Sequence, residues 1–508
     1  RRKSELMIML ASLKPAGFKK VSLKDHATKT WTDSDIKDFD QFVTDSMQKL
    51  KVPGVSIAII RKDGQMLYKK AFGVKQLGSN DKVTPDTLFM IGSITKQLTT
   101  LMMASLVDKR IFTWETPVVS ILPNFKLADQ ELTKKLRLRD TVSASTGMPR
   151  NDELWVFKYK GVKPEARLLE MQTVAPTTKV GEVFQYSNQL VMAGGYIAAH
   201  AYLPKVDLEN AYNIAMQELV FNPLQMTRTV LKTKDAVKLG AALPHSTKIN
   251  GDISAMPFNV EERIYSIAPA GGVWSTTEDM SKDLLLELNN GILNDKRIIS
   301  EQSILERRKP GIKIFEDKSY GLCLEVGNWQ GLKVIEHSGG TMGFESQLFF
   351  LPERGIGMII LTNSSGGDAF NRVVKQKFLE LTFEAKPKAQ AMLDLEIKLT
   401  KQSIENQTKK ISLNHKNLKW IEKLLGEYIN PSLGKAKVLR NSHSTGYEIQ
   451  FDEWKTQIGG ETDDNGTKLL VVLDAPFAGM RFLVSEDSNK LIFNSGQQQY
   501  VFIRVNNK

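Results

Sequence analysis

Cysteine is all but missing from this chain: Cys323 stands alone among 508 residues. No internal disulfide, cysteine-based zinc site or Cys-x-x-Cys redox pair can form, and the count is silent about compartment. Histidine is also scarce. None of the six is spaced as a pair on one helix face, so no metal site is expected. No apolar run approaches the ~20 residues that cross a bilayer, so no transmembrane segment is expected. Arg1-Arg2-Lys3 followed by Leu6 to Leu13 resembles a stunted export signal, but Glu5 interrupts it and the run is short. The chain does not begin with Met, which fits upstream trimming, either by removal of an export signal or by cloning. Gly-x-Ser-x-Gly elbows, Walker A loops, His-Glu-x-x-His pairs and complete Gly-x-Gly-x-x-Gly loops are all missing, which removes the enzyme classes they mark.

What is present reads as an ordinary globular chain. With 41% hydrophobic and 25% charged residues it can bury a large core without covalent staples. The net charge of +12 gives a basic surface, which suits anionic surroundings such as cell-wall polymer or lipid headgroups. Nucleic acid is not an expected partner, because no basic stripe is interleaved with aromatics and no common binding motif occurs.

Residues 1–32 are Lys-rich and weakly patterned, and read as an N-terminal extension. The spacing of Ile36, Phe39, Phe42, Val43 and Met47 predicts a helix from about Asp33 to Lys51, capped by Thr32 or Asp33. Val55 to Arg61 and Met66 to Gly73, joined at Lys62-Asp63-Gly64, predict a β-hairpin. A second helix is predicted from about Ser93 to Lys109, then loops and mixed helices over 115–285. Strands return at Tyr320 to Val326, Lys333 to Glu336, Ser346 to Leu351 and Gly357 to Thr362. Early and late strands around a helical middle predict an α/β (α+β) unit over 33–385, an antiparallel sheet closed by both ends of the segment. Residues 386–420, rich in Lys, Gln and Asn, read as a linker. Short β-type runs separated by turns make 421–508 a small all-β domain, a barrel or a sandwich.

The chemistry begins at Ser93-Ile94-Thr95-Lys96. At i and i+3 of a helix start, a hydroxyl and an ammonium share one face. The first turn also leaves backbone N–H groups free to stabilise an anionic oxygen. A lysine pressed into that positive, partly dry corner has its pKa lowered and can take a proton from the serine. The spacing alone is common, recurring at Ser46/Lys49, Ser79/Lys82 and Ser432/Lys435. Ser93 differs by its context, a Gly before it and the apolar Leu98, Leu101, Met102 and Leu106 after it. Tyr186-Ser187-Asn188 supplies a phenol that a nearby lysine can help deprotonate, and an amide that can orient Lys96 and a substrate. A helix-capping Tyr and a turn Asn would give the same letters, as Tyr428-Ile429-Asn430 shows. His337-Ser338-Gly339-Gly340 follows a predicted strand. An extended substrate can pair with that edge, Gly339 and Gly340 allow close approach, and one backbone N–H can join that of Ser93 in an oxyanion hole.

In this order, Ser-x-x-Lys, Tyr-x-Asn and His-x-Gly resemble the serine β-lactamases of class C and the penicillin-binding DD-peptidases, with their esterase and D-aminopeptidase relatives. The resemblance spans about residues 35–380. It extends to Leu138 through Pro149, Gly271 through Met280, Gly343-Phe344-Glu345-Ser346 and Leu361-Thr362-Asn363. It implies the serine β-lactamase/DD-peptidase fold, with an all-helical lobe beside the sheet and no cofactor or metal. It further implies Ser93 as acylated nucleophile, Lys96 as its activator and Tyr186 as general base or proton relay. Asn188, His337 and Gly339 would bind substrate, and the backbone N–H groups of Ser93 and Gly340 would form the oxyanion hole.

One departure stands out. Class C β-lactamases carry Lys-Thr-Gly where this chain has His-Ser-Gly, which resembles certain DD-peptidases and D-amino-acid peptidases more. The appended β-domain points the same way. The expected activity is therefore hydrolysis of an amide, peptide or ester, D-configured or peptidoglycan-derived, through a Ser93 acyl-enzyme. A true β-lactamase is the alternative, and a non-catalytic binding or assembly protein on the same scaffold is the second. A periplasmic or secreted location, contact with peptidoglycan and self-association through the β-domain are further expectations.

Overall fold

The computed structural model describes residues 22–413, 415–441, 446–463, 465–496 and 498–505. Most of the expected extension, residues 1–21, lies outside them.

Helix α1 (Asp33–Lys49) starts where the sequence places a cap. The Thr32 backbone N–H donates to Asp35 Oδ2 at 2.8 Å, and the Asp35 N–H donates back to Thr32 Oγ1 at 3.3 Å. Those bonds and Lys29 lower the Asp35 pKa from 3.8 to about 2. The folded pKa is depressed, so this stabilisation is complete above about pH 4 and fades as pH falls toward 2. Thr32→Ala is expected to cost about 1 kcal/mol in a urea melt at pH 7.

Strands β1 (Gly54–Arg61) and β2 (Met66–Gly73) form the predicted hairpin. Central helix α2 (Thr95–Asp108) follows, then α3 (Asn188–Tyr202) and α4 (Thr277–Leu288) in the helical part. The late strands are β3 (Ile312–Phe315), β4 (Lys318–Tyr320), β5 (Glu325–Trp329), β6 (Leu332–Gly340), β7 (Glu345–Leu351) and β8 (Ile356–Thr362). All eight make one antiparallel sheet in the order β2-β1-β8-β7-β6-β5-β4-β3. The early hairpin closes on the last strand, with Val55 opposite Thr362 and Arg61 opposite Ile356. Both faces are covered. Val55, Ile57 and Ile59 face one apolar cluster with α1 and α5 (Gly367–Phe383), while Ala58 and Ile60 join the other, with α2, α3 and α4.

Three segments differ from expectation. Tyr320 to Val326 is not one strand: Gly321 donates its N–H to Leu324 O at 2.8 Å, and Cys323 takes φ +56°, a turn that tucks the thiol inside. Strand β6 runs past Glu336 to include the whole His337–Gly340 motif. The expected linker 386–420 carries a 22-residue helix, α6 (Ala389–Lys410). Glu380 of α5 accepts from the N–H groups of Lys388 and Ala389, Arg372 pairs with Glu396, and Ala389 and Leu393 are buried. Only this narrow apolar stripe is needed, which leaves the rest of the helix polar.

The C-terminal strands are β9 (Gly426–Asn430), β10 (Gly434–Arg440), β11 (Tyr447–Phe451), β12 (Lys455–Thr462), β13 (Lys468–Val472), β14 (Arg481–Val484), β15 (Lys490–Ser495) and β16 (Gln498–Arg504). Each pairs with the next, and β16 returns to β9, so the domain is a closed eight-stranded barrel rather than a sandwich. Closure removes the exposed edges that a sandwich would leave. Strand β12 carries little sequence signal, because Gly459 and Gly460 occupy its middle. A Cβ at Gly460 would lie 2.6 Å from Leu418 and 2.8 Å from Trp420.

The barrel does not hang free. Phe157, the last residue of the short helix Glu153–Phe157, packs against Phe451, Trp454, Phe493 and Phe502 at centroid distances of 4.9, 5.6, 5.8 and 6.4 Å. Around this plug, Glu453 accepts from the Tyr159 N–H at 2.9 Å, Tyr500 donates to Asn151, and Ser495 donates to Glu153.

Candidate active site

A 3-10 turn, Gly92–Ile94, leads directly into α2 and sets Ser93 at its mouth. Gly92 has φ +51°, in the left-handed region, and a Cβ there would lie 2.8 Å from the Gly340 nitrogen. From the other side, a Cβ at Gly339 would lie 2.8 Å from the Ser93 nitrogen. Glycine at both positions lets β6 lie flush on the turn, which brings the Ser93 and Gly340 amides to one corner. Ser346 locks this seam by donating to Ile91 O at 2.7 Å and to Gly339 O at 3.2 Å.

Lys96 is fully buried one turn into the helix. Its Nζ donates to Ser93 Oγ at 2.9 Å and to the Ala270 carbonyl, and it lies 4.9 Å from the Tyr186 ring centre. Burial brings its pKa down from 10.5 to about 7, and the Arg150 charge pushes the same way. Near neutrality, then, the lysine can exist neutral and take the serine proton.

Tyr186 behaves differently from the sequence expectation. Burial raises its phenol far above the ordinary value, more than the hydrogen bond with Ser93 and the Arg150 charge lower it. The ground-state phenol is neutral, a donor and relay rather than a standing base. Asn188 opens α3 and donates to Asp152 Oδ1 at 2.8 Å, not to Lys96. His337 is buried, with its pKa lowered to about 4 by desolvation. Its Nδ1 lies 2.6 Å from Ser338 O and its Nε2 3.0 Å from Tyr320 Oη, so Nδ1–H donates to the carbonyl and Nε2 accepts from the phenol. Both nitrogens are engaged within the protein, which leaves substrate contact in this motif to the backbone and exposed Ser338.

All three motifs therefore meet at one place, whereas Tyr428-Ile429-Asn430 lies in barrel strand β9, with Tyr428 donating to Leu424 O. Sequence reasoning missed four contributors. Ala270 holds Lys96 through its carbonyl, Tyr320 holds His337, and Arg150 and Asp152 flank Tyr186 and Asn188. Arg150 and Asp152 directly follow the Leu138–Pro149 signature, and Ala270 directly precedes the Gly271–Met280 one. Their positions beside quoted signatures were the available signal. Among the described residues no cluster of His, Cys, Asp and Glu is arranged to hold a metal ion, and no helix is long and apolar enough to cross a membrane.

The fold and this site define a class of protein, and comparison with known proteins agrees. A Beta-lactamase family model matches residues 39–379, and the chain belongs to that family, whose members are generally serine hydrolases. An unguisins hydrolase of Aspergillus campestris is 27% identical over 344 residues, 65% of this chain and 62% of the relative. A second, from Aspergillus violaceofuscus, is 24% identical over 369 residues, so the chain spans about three fifths of the length of both. Penicillin-binding protein 4 of Amycolatopsis lactamdurans is 25% identical over 331 residues, 63% of this chain and 83% of the relative. In fold, the chain is similar to the octameric penicillin-binding protein homologue from Pyrococcus abyssi. The TM-score is 0.60 at 22% identity, covering 92% of this chain and all of the other.

Proposed function

We propose that this protein hydrolyses an amide, peptide or ester bond through a Ser93 acyl-enzyme, acting on D-amino-acid or peptidoglycan-type peptides or on esters. The observation that carries this reading is Lys96: fully buried, with its pKa near 7, and 2.9 Å from the Ser93 hydroxyl.

In the acylation step, neutral Lys96 takes the hydroxyl proton as Ser93 Oγ bonds to the carbonyl carbon. The oxygen charge that develops faces the Ser93 and Gly340 amides. Tyr186, neutral and within the same hydrogen-bonding group, passes a proton to the departing amine or alkoxide and recovers one from Lys96. Water then attacks the ester along the reverse path and restores Ser93.

A neutral His337 in the third motif, where a lysine would be charged, supports a peptidase or esterase over a dedicated β-lactamase. A periplasmic or secreted setting is part of the same proposal and rests on the family resemblance alone. The octameric state of the Pyrococcus protein supports self-association as part of the same reading.

Intact-mass measurement after incubation with a penicillin, with peptide mapping and an assay of the drug, tests the proposal. The expected result is a lasting adduct on the Ser93 peptide, the mark of a slowly deacylating peptidase-like enzyme. Rapid consumption of the drug without an adduct would instead make it a working β-lactamase. If the penicillin stays intact and an aryl fluorophosphonate also fails to label Ser93, the acyl-enzyme reading is wrong.

A further inference from the structure

Resting on the hydrolase reading above, we infer that Arg150 is the specificity residue of this site and receives a carboxylate carried by the substrate. The guanidinium carbon lies 5.5 Å from the ring centre of Tyr186, and its charge acts on both Tyr186 and Lys96. It therefore stands at the reacting groups while its side chain remains 64% exposed.

The hydrogen bonding of Arg150 is lopsided. Its Nε donates to Asp152, and neither terminal amino group has a partner among the described residues. An arginine held by Nε presents its outer fork to solvent, and that fork matches the two oxygens of a carboxylate. Cations beside the third motif are already committed. Lys318 pairs with Glu325 and Glu336, Lys375 pairs with Glu336, and His337 has both nitrogens engaged. The positive charge offered to substrate comes from the Tyr186 flank instead.

The fork is also held in place. Asp152 is mostly buried and accepts from Trp155 Nε1 at 3.1 Å and from Asn188 Nδ2 at 2.8 Å as well as from Arg150. The residues on either side are tied to the barrel, Asn151 by Tyr500 and Glu153 by Ser495, and Phe157 anchors the end of the segment. A preorganised fork loses little freedom on binding, which is what a specificity contact requires.

The test uses the full chain and two matched pairs of aryl esters. In each pair one member has a free carboxylate, on the acyl chain or on the leaving phenol, and the other has it methylated. The readout is the ratio of kcat/KM for the free acid to that for the methyl ester. In the native protein the free acid is expected to be favoured by about 10- to 100-fold in at least one pair. Arg150→Gln, which can still donate to Asp152, is expected to erase that preference through KM. Arg150→Lys is expected to restore part of it. Turnover without a free-acid preference in either pair overturns the inference, and so does a preference that survives in Arg150→Gln. Failure to turn over any ester, with Ser93 unlabelled, would remove the hydrolase reading and this inference together.

Discussion

Ser93→Ala is expected to lower kcat/KM by roughly 10⁴-fold or more while leaving the melting temperature close to that of the native protein. The size follows from the mechanism. Without Oγ no acyl-enzyme forms, and what survives is the stabilisation offered by the oxyanion amides and binding. The small effect on stability follows from the packing. Ser93 is only half-buried, its hydroxyl serves Lys96 and Tyr186, and Lys96 keeps its bond to Ala270. Steady-state kinetics on an activated ester and a thermal melt check both halves. Activity above a tenth of the native level would mean that Ser93 is not the nucleophile.

Lys96 governs the second large effect, a rise in activity with pH. Burial lowers its pKa from 10.5 to about 7, so the neutral, proton-accepting form grows as pH rises through 7. If that form drives acylation, kcat/KM is expected to rise from about a tenth of its plateau at pH 6 to about half at pH 7, levelling near pH 8. A profile that falls over this range would assign Lys96 the opposite role. Lys96→Met should remove this limb and lower the rate by roughly 10³-fold or more. It should also raise stability at neutral pH. The unfolded lysine holds its proton up to about pH 10.5 and the folded one only to about pH 7, so native stability falls as pH drops from 10.5 to 7. Replacing the charge with an apolar side chain of similar length relieves that cost. A variant that is inactive but melts higher would identify Lys96 as a residue kept for chemistry at the expense of stability.

The elements that can be read from sequence are those whose signal is local. Helix α1 is marked by an apolar stripe and a capping pair within four residues, and the β1–β2 hairpin by β-branched runs around Lys62-Asp63-Gly64. Strand β12 escapes because Gly459 fits against Ile411, Ser412 and Leu413 and Gly460 against Leu418 and Trp420, all remote in sequence. Helix α6 escapes because its polar composition hides the two residues, Ala389 and Leu393, that bury it. The Tyr320–Val326 break escapes because Gly321 and Cys323 fit a turn against the Val142 carbonyl, far away in the chain.

The same division runs through the site. By itself, the sequence determined the family, the three motifs and the order in which they occur, because each motif is written in a few consecutive residues, whereas the role of Gly92 and Gly339 in letting β6 approach Ser93 came from the folded chain. Their protonation states came only from the tertiary structure. A phenol beside a lysine reads as acidic until burial outweighs the charge, and desolvation with two hydrogen bonds fixes the His337 imidazole neutral. Arg150 and Asp152 likewise look like loop residues in the sequence. Only the folded chain sets Arg150 over Tyr186, ties Asp152 to Asn188 and fastens their neighbours Asn151 and Glu153 to a barrel more than 340 residues further along. Desolvation and long-range contacts depend on what surrounds a group, and a linear pattern of residues does not encode those surroundings.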